Sequence, residues 1–334
     1  MSGSSFLSEV FASAPVPAAV EISARRVTAI SLSAKGSSRT ITSHSTEALD
    51  DGLVTPSLNA TNVHDHKALA DAVRVAVDRL SPRPRRIALV LPDTVAKVSL
   101  LRFEKAPPRV QDLDQLIKWQ MRKAAPFRIE DAQLAWTESG LTAGGGHEYL
   151  VVLARRDIIE SYERACDAAG LYAGLVDIAS LNLVNAVLAT QPTTASGDWL
   201  LIHVAPGYAT IAIVRAGRII FFRNRPAEGS GPADLSDLVH QTAMYHEDRL
   251  EGGAFTRAVV SGASAYGAEA VERIRRQIEE RLGMRAELLD VRAGVTLRDR
   301  IVASPELIDS LAPAAGILLR DRPASARNKT EQVA

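Results

Sequence analysis

Few side chains in this sequence stand at a spacing that suggests chemistry on its own. His64 and His66 flank Asp65 as H-x-H, but no third ligand is near in sequence, so a solvated loop is the better reading than a metal site. His240, His246 and Glu247 fall in one helix-forming stretch without the H-E-x-x-H order that sets two imidazoles and a base on one helical face. Gly144, Gly145 and Gly146 lie between two strand-like segments and lack the strand–loop–helix setting of a dinucleotide fingerprint. The basic run Arg83–Ile87 reads as a solvated linker. Cys166 is the single cysteine, which excludes an internal disulfide and any multi-cysteine zinc or iron–sulfur centre. It sits at an apolar helical position and reads as a small hydrophobe. Trp119 and Met121 lie on or near an apolar helix face, either as core or as the lining of a peptide groove.

The elements that must position any such group come from a chain of 334 residues, long enough for about two domains. Lys plus Arg and Asp plus Glu are 39 each, so there is no net charge of the kind that nucleic-acid coating needs. No run resembles the ~20 apolar residues of a spanning helix, and the N-terminus lacks the basic start of a secretory signal. The expectation is a soluble cytoplasmic protein that meets a membrane only through partners.

Alternating stretches over Ala18–Leu32 and the following SRTITSHS predict a three-strand meander. Helical spacing predicts helices at 66–80, 111–125, 157–169, 234–250 and 266–282, a helix over ASLNLVNAVLA and a last one over PELIDSLAPAAGILLR. Gly170 is placed to cap the 157–169 helix. About 180 residues after the first meander a second one begins, WLLIHV, YATIAIVR and GRIIFFRNR. Two halves that each open on a meander and continue into mixed helices and strands predict a duplicated α/β architecture with a cleft between the halves. The Ser-, Ala- and Pro-rich residues 1–17 read as a loose arm, and the polar residues 323–334 as a disordered tail.

Several stretches, in order, resemble the PilM family of cytoplasmic, actin-like pilus-assembly proteins related to the cell-division protein FtsA. The run Val151–Leu188 is similar to that family's strand, helix, "aGL", strand and "vDi" pattern. VLPDTVAKVSLLRFEKAP with LIKWQMRKAAPFRIEDAQLAW is similar to its inserted subdomain, and LAPAAGILLR to its ending. The resemblance spans Pro17–Arg320. It implies a duplicated actin-like, ribonuclease H-like α/β fold, with a small α+β subdomain inserted in the first half. The implied division is 18–80 with 165–192 as the first subdomain, 84–164 as the insert and 197–322 as the second half.

The resemblance also implies a nucleotide cleft built from three turns. The first is Glu21-Ile22-Ser23-Ala24-Arg25-Arg26, where the family has roughly D-x-G-s-s. The second is His203-Val204-Ala205-Pro206-Gly207, followed by Tyr208, where it has roughly D-x-G. The third, at the family's adenosine loop, holds Gly262, Ala263 and Ser264. Asp177 matches the acid near the first crossover. The first two turns are the phosphate loops, and each needs a carboxylate to orient hydrated magnesium and small residues so that N–H groups reach phosphate oxygens. Here one acid is a histidine, two glycines are replaced and Pro206 lacks an N–H. Arg25 and Arg26 could partly replace the lost donors, or be solvated turn residues.

No bound cofactor is therefore expected, with ATP and magnesium reserved for an alternative reading as an actin-like ATPase or nucleotide-switched scaffold. A sugar or acetate kinase would share the fold class but needs an intact pair of phosphate-loop acids and a catalytic carboxylate. The first reading is a non-catalytic scaffold of a type IV pilus or related secretion platform. The partner implied by the resemblance is the N-terminal tail of a PilN-like membrane protein, captured in a groove near Leu113, Leu116, Trp119, Gln120 and Phe127.

Overall fold

The computed structural model describes residues 16–35, 38–141, 144–190, 197–227, 235–298 and 301–320. Most of the expected N-terminal arm, most of the QPTTASGD linker and the whole expected tail lie outside the described residues.

The first sheet is built on the meander β1 (Ala18–Ile22), β2 (Arg26–Lys35) and β3 (Ser38–Ala48). β4 (Arg86–Leu91) lies parallel to β1, and β8 (Tyr172–Ile178) parallel to β4. The second sheet repeats this plan with the meander β9 (Asp198–Ala205), β10 (Tyr208–Arg215) and β11 (Arg218–Pro226). β12 (Arg257–Ser261) is parallel to β9, and β13 (Ala286–Leu288) is parallel to β12. The duplication read from the sequence is thus a duplication of strand order. β14 (Thr296–Leu297) adds a short edge to the first sheet by pairing with β3.

Alternation along these strands sorts residues between layers. Val20 and Ile22 face α1 (His66–Asp78) and α3 (Arg156–Ala168) on the outside of the first sheet. Ile202 and Val204 face α5 (Ser236–Leu250) and α6 (Ala268–Leu282) on the outside of the second. The alternate residues Ala19, Val90, Trp199, Leu201, Ala212 and Val259 face inward. There they pack with α4 (Ala179–Thr190) and α7 (Pro305–Leu319), which lie between the two sheets.

Local signals place these helices. Asp65 caps α1 by accepting the Ala68 N–H at 2.9 Å, and Ser304 caps α7 ahead of Pro305 at its first turn. Gly170, at φ +76°, follows the end of α3.

The insert is a three-stranded antiparallel sheet. β7 (His147–Arg155) lies between β5 (Ala96–Phe103) and β6 (Ala132–Leu141), with α2 (Val110–Arg122) packed on one face. Two boundaries differ from the sequence reading. β4 and α3 belong to the first half, which narrows the insert to about Ala96–Arg155. The chain from Val291 onward does not stay in the second half: β14 joins the first sheet, and α7 packs between the two sheets against both. Periodicity predicts that these elements exist but not which sheet they join, since both sheets offer apolar faces.

α4 and α7 approach so closely that a Cβ on Gly316 would stand 1.8 Å from the Asn182 carbonyl oxygen. Among the described residues no helix is long and apolar enough to cross a membrane. Gly316→Ala is expected to force α4 and α7 apart and to lower stability by about 2–3 kcal/mol, measured by urea unfolding of the full chain.

Candidate functional site

The inward-facing register that builds the core also aims polar side chains from the strand ends into the cleft. Glu21 continues the face of Ala19, His203 that of Trp199 and Leu201, Thr210 and Tyr208 that of Ala212, and Ser261 that of Val259. Between them lies a cavity of about 490 Å³, lined by Glu21, Ser23, Arg26, His203, Tyr208, Gly262 and Tyr266 among others. A second cavity, of about 370 Å³, is lined by Gly207, Arg25 and the loop around Asp51.

Of the residues singled out from the sequence, Glu21, Ser23, Ala24, Arg25, His203, Ala205, Tyr208 and Gly262 line the first cavity, and Gly207 lines the second. Ala263 is buried beneath the third turn. Asp177 is not among the lining residues; its carboxylate accepts the Ile178 N–H at 2.8 Å and lies 3.8 Å from Arg320. Arg25 pairs with Asp51 at 3.1 Å in a largely exposed contact.

Several backbone donors of these turns are already occupied. Ser23 Oγ accepts from Arg25 N at 3.4 Å and Arg26 N at 3.2 Å, and donates to the Arg26 carbonyl at 3.1 Å. A side chain standing where glycine was expected therefore takes the donors that glycine would leave free. In the second turn Pro206 supplies no N–H. In the third, Asp309 of α7 accepts the Gly262 N–H at 2.7 Å and the Ser264 N–H at 3.1 Å.

Charge in the cleft is suppressed. Glu21 is 6% exposed. Burial raises its carboxyl above the ordinary glutamate range, opposed by Arg26 and reinforced by Asp309 and Asp93. His203 is 5% exposed; burial holds its imidazole below the ordinary histidine range, against the pull of Asp93 and Asp309. Glu21 Oε2, Arg26 Nε, His203 Nδ1 and Tyr266 Oη have no hydrogen-bond partner. Against a magnesium triphosphate stand a buried imidazole where the family pattern has an acid, and amides that Ser23 and Asp309 take or Pro206 lacks.

Sequence reading missed the group that joins the halves. Asp93, fully buried in the one-turn segment between β4 and β5, accepts the Ser180 N–H at 2.8 Å, the Ser180 hydroxyl, and the Thr210 hydroxyl at 2.7 Å. Its own N–H donates to Tyr208 Oη at 3.2 Å. An acid directly after the apolar run IALVLP was the available signal. Asp309, likewise missed, is an acid on the inward side of a largely apolar helix.

The remaining candidates resolve simply. His64 and His66 are exposed beside the Asp65 cap. His246 is buried, with Nε2 2.5 Å from Asp198, whose carboxylate also takes Arg215. Cys166 is buried and its thiol pushed up to about 12. Among the described residues no cluster could hold a metal ion. On the insert, Leu113 is 6% exposed and packs in the small core, so it has almost no surface to offer a peptide. Leu116 and Phe127 are half-buried, Gln120 is exposed, and Trp119 is 58% exposed beneath the Lys123 ammonium.

A family profile described as "Type IV pilus assembly protein PilM" matches residues 19–248. A solved "PilM-PilN type IV pilus biogenesis complex" contains a chain similar to this one at TM-score 0.75 and 14% identity, over 91% of this chain and 96% of that one. A Bacteroides thetaiotaomicron protein with an actin-like ATPase fold and unknown function matches at TM-score 0.51 and 8% identity, over 92% and 97%. At these identities the likeness is one of fold, and the fold is the duplicated actin-like one. No curated protein gives a significant match.

Asp93→Ala strands three donors and is expected to lower stability by about 3 kcal/mol or more, read by denaturant unfolding. Glu21→Gln tests the raised carboxyl. Because the folded state holds that proton more tightly than the unfolded chain, wild-type stability contributed by this group falls as pH rises through the window above the ordinary glutamate range. The variant should gain stability relative to wild type as pH rises above about 4, the ordinary glutamate value, in melting curves taken across that rise.

Proposed function

The chain belongs to the type IV pilus assembly PilM family, and from that premise we propose that it is a non-catalytic cytoplasmic scaffold of an inner-membrane type IV pilus or type II secretion-like machine. Its ligand in this reading is the N-terminal cytosolic tail of a PilN-like membrane protein, and other platform proteins pack around it.

The observation that carries the non-catalytic part is the state of the three turns. Phosphoryl transfer depends on positioned donors and a metal that neutralises charge. Ser23 and Asp309 occupy backbone donors, Pro206 removes one and His203 replaces an acid. Asp93 supports a scaffold for a second reason. Its bonds tie the β4–β5 turn to α4 and to β10, so the halves share one buried carboxylate across the cleft.

The partner is supported by the family and by the insert surface. Trp119, Leu116, Gln120 and Phe127 offer apolar area around a large exposed aromatic, the residue type that most often dominates a binding interface. In the related complex a PilM is solved together with a PilN.

A second reading, an actin-like ATP-binding protein or ATPase, is favoured by one observation: the four unpartnered polar atoms around the larger cavity, which a ligand would satisfy.

Calorimetric titration of the full chain with a synthetic N-terminal tail of a PilN-like membrane protein tests the proposal. Micromolar binding is expected, about tenfold weaker in Trp119→Ala, with neither ATP turnover nor a melting shift in magnesium-ATP. No binding at high micromolar peptide, or steady ATP turnover, defeats it.

A further inference from the structure

Glu21 lines the larger cavity in an unusual state. Its carboxyl is 6% exposed, makes no ion pair among the described residues, and leaves Oε2 without a hydrogen-bond partner. A buried carboxyl left this way costs stability, and a donor placed in the cavity removes that cost. Two further carboxylates stand behind the cavity wall. Neither Asp93 nor Asp309 lines the cavity, yet both lie close enough to Glu21 and His203 to act on their charge. Asp93 takes the Ser180 N–H and the hydroxyls of Ser180 and Thr210. Asp309 takes the Ser261 hydroxyl and the N–H groups of Gly262 and Ser264. Every one of these donors is neutral, so hydrogen bonds hold both carboxylates while no cation among the described residues balances them.

The opposing charge is the Arg26 guanidinium, which acts on Glu21 across the cavity but forms no ion pair among the described residues. Arg25 is engaged by Asp51 in a largely exposed contact, and burial holds His203 toward its neutral form. Three carboxyl groups thus outweigh one guanidinium, a field that attracts a single positive charge and opposes phosphate. Among the described residues no cluster could hold a metal ion, whereas about 490 Å³ has room for an organic group. The rest of the lining includes the rings of Tyr208 and Tyr266 and the apolar Pro92, Pro206 and Ala265. Aromatic rings attract cations, and apolar walls take the methylenes that carry them. We propose that this cavity binds a small organic monocation, a primary amine or guanidinium on an apolar stem, whose charged head pairs with Glu21. The inference stands apart from the scaffold reading, since it turns on the cleft and not on the insert surface. Burial favours the protonated carboxyl of Glu21, and a bound cation draws that proton off, so affinity rises with pH.

The test uses calorimetry and melting curves of the full chain at constant ionic strength. The probes are n-butylamine and n-butylguanidine, with n-butanol as the uncharged control and inorganic pyrophosphate as the anionic one. Both cations are expected to bind with millimolar or tighter affinity and to raise the melting temperature, more weakly at about pH 5 than at about pH 8, while both controls fail. Glu21→Gln, which keeps the shape and loses the charge, should weaken the cations at least about tenfold. Tyr266→Leu should weaken them about threefold and serves alone if the first variant does not fold. A further arm, Nα-acetyl-lysine amide, separates the two sources of such a group: tighter binding than butylamine supports a partner's side chain as the ligand, and weaker binding supports a free amine.

Butanol binding as well as butylamine overturns the proposal, because the cavity would then select only for apolar bulk. Unchanged cation affinity in folded Glu21→Gln, no response to either cation at tens of millimolar, or tighter binding of pyrophosphate than of the cations also overturns it. Failure of the PilN-like tail to bind defeats the scaffold reading and leaves this one standing.

Discussion

A single carboxylate with no solvent exposure decides how the two halves of this protein meet. Asp93 follows a fully buried strand and precedes the insert, and it bonds to the first turn of α4 and to β10 of the opposite sheet. A buried charge of this kind is tolerable only when its lone pairs are met by good donors, and here they come from both halves. The cleft cannot widen at this point without stranding that charge. The insert adds to the same closure, since Ser139 of β6 reaches the carbonyl of Ile219 on β11 at 3.4 Å and Phe222 packs across both main cores.

The same logic of internal satisfaction governs the turns. A site evolved to hold a ligand leaves donors free for it. Here a serine hydroxyl takes donors in the first turn, an aspartate carboxylate takes them in the third, and a proline removes one from the second. What stays unmet is Glu21 Oε2, His203 Nδ1, Tyr266 Oη and Arg26 Nε, around a modest cavity. Burial keeps both Glu21 and His203 toward their uncharged forms.

Much of this architecture was legible in the sequence because it is written in short-range pattern. The repeat of the β-meander, the helices with apolar faces and the caps at Asp65, Ser304 and Gly170 are local signals. So were the altered turns, whose residues Ser23, Pro206 and His203 the fold brings to one cavity. What was not legible is long-range. Asp93 and Asp309 look like ordinary acids until the topology brings donors from distant residues to them. Leu113 sits at the same helical spacing as its neighbours, and only the packing of α2 on its small sheet shows that it belongs to the core while Trp119 does not. The return of α7 to the first half left no mark in its periodicity, which an apolar helix would show against either sheet.

That return bears on how the chain is made. The inner face of the first sheet is covered largely by α4 and by α7, a helix far along the sequence from β1 to β4. A nascent chain leaving the ribosome can assemble β1 to β4 long before α7 has been synthesised, yet the apolar inner surface of that sheet remains uncovered until residues 305–319 have emerged. Closure of such sequence-distant contacts is slow, and half-made intermediates with open apolar faces are the natural clients of chaperones. Premature termination before residue 305 would therefore release a sticky fragment rather than a working half.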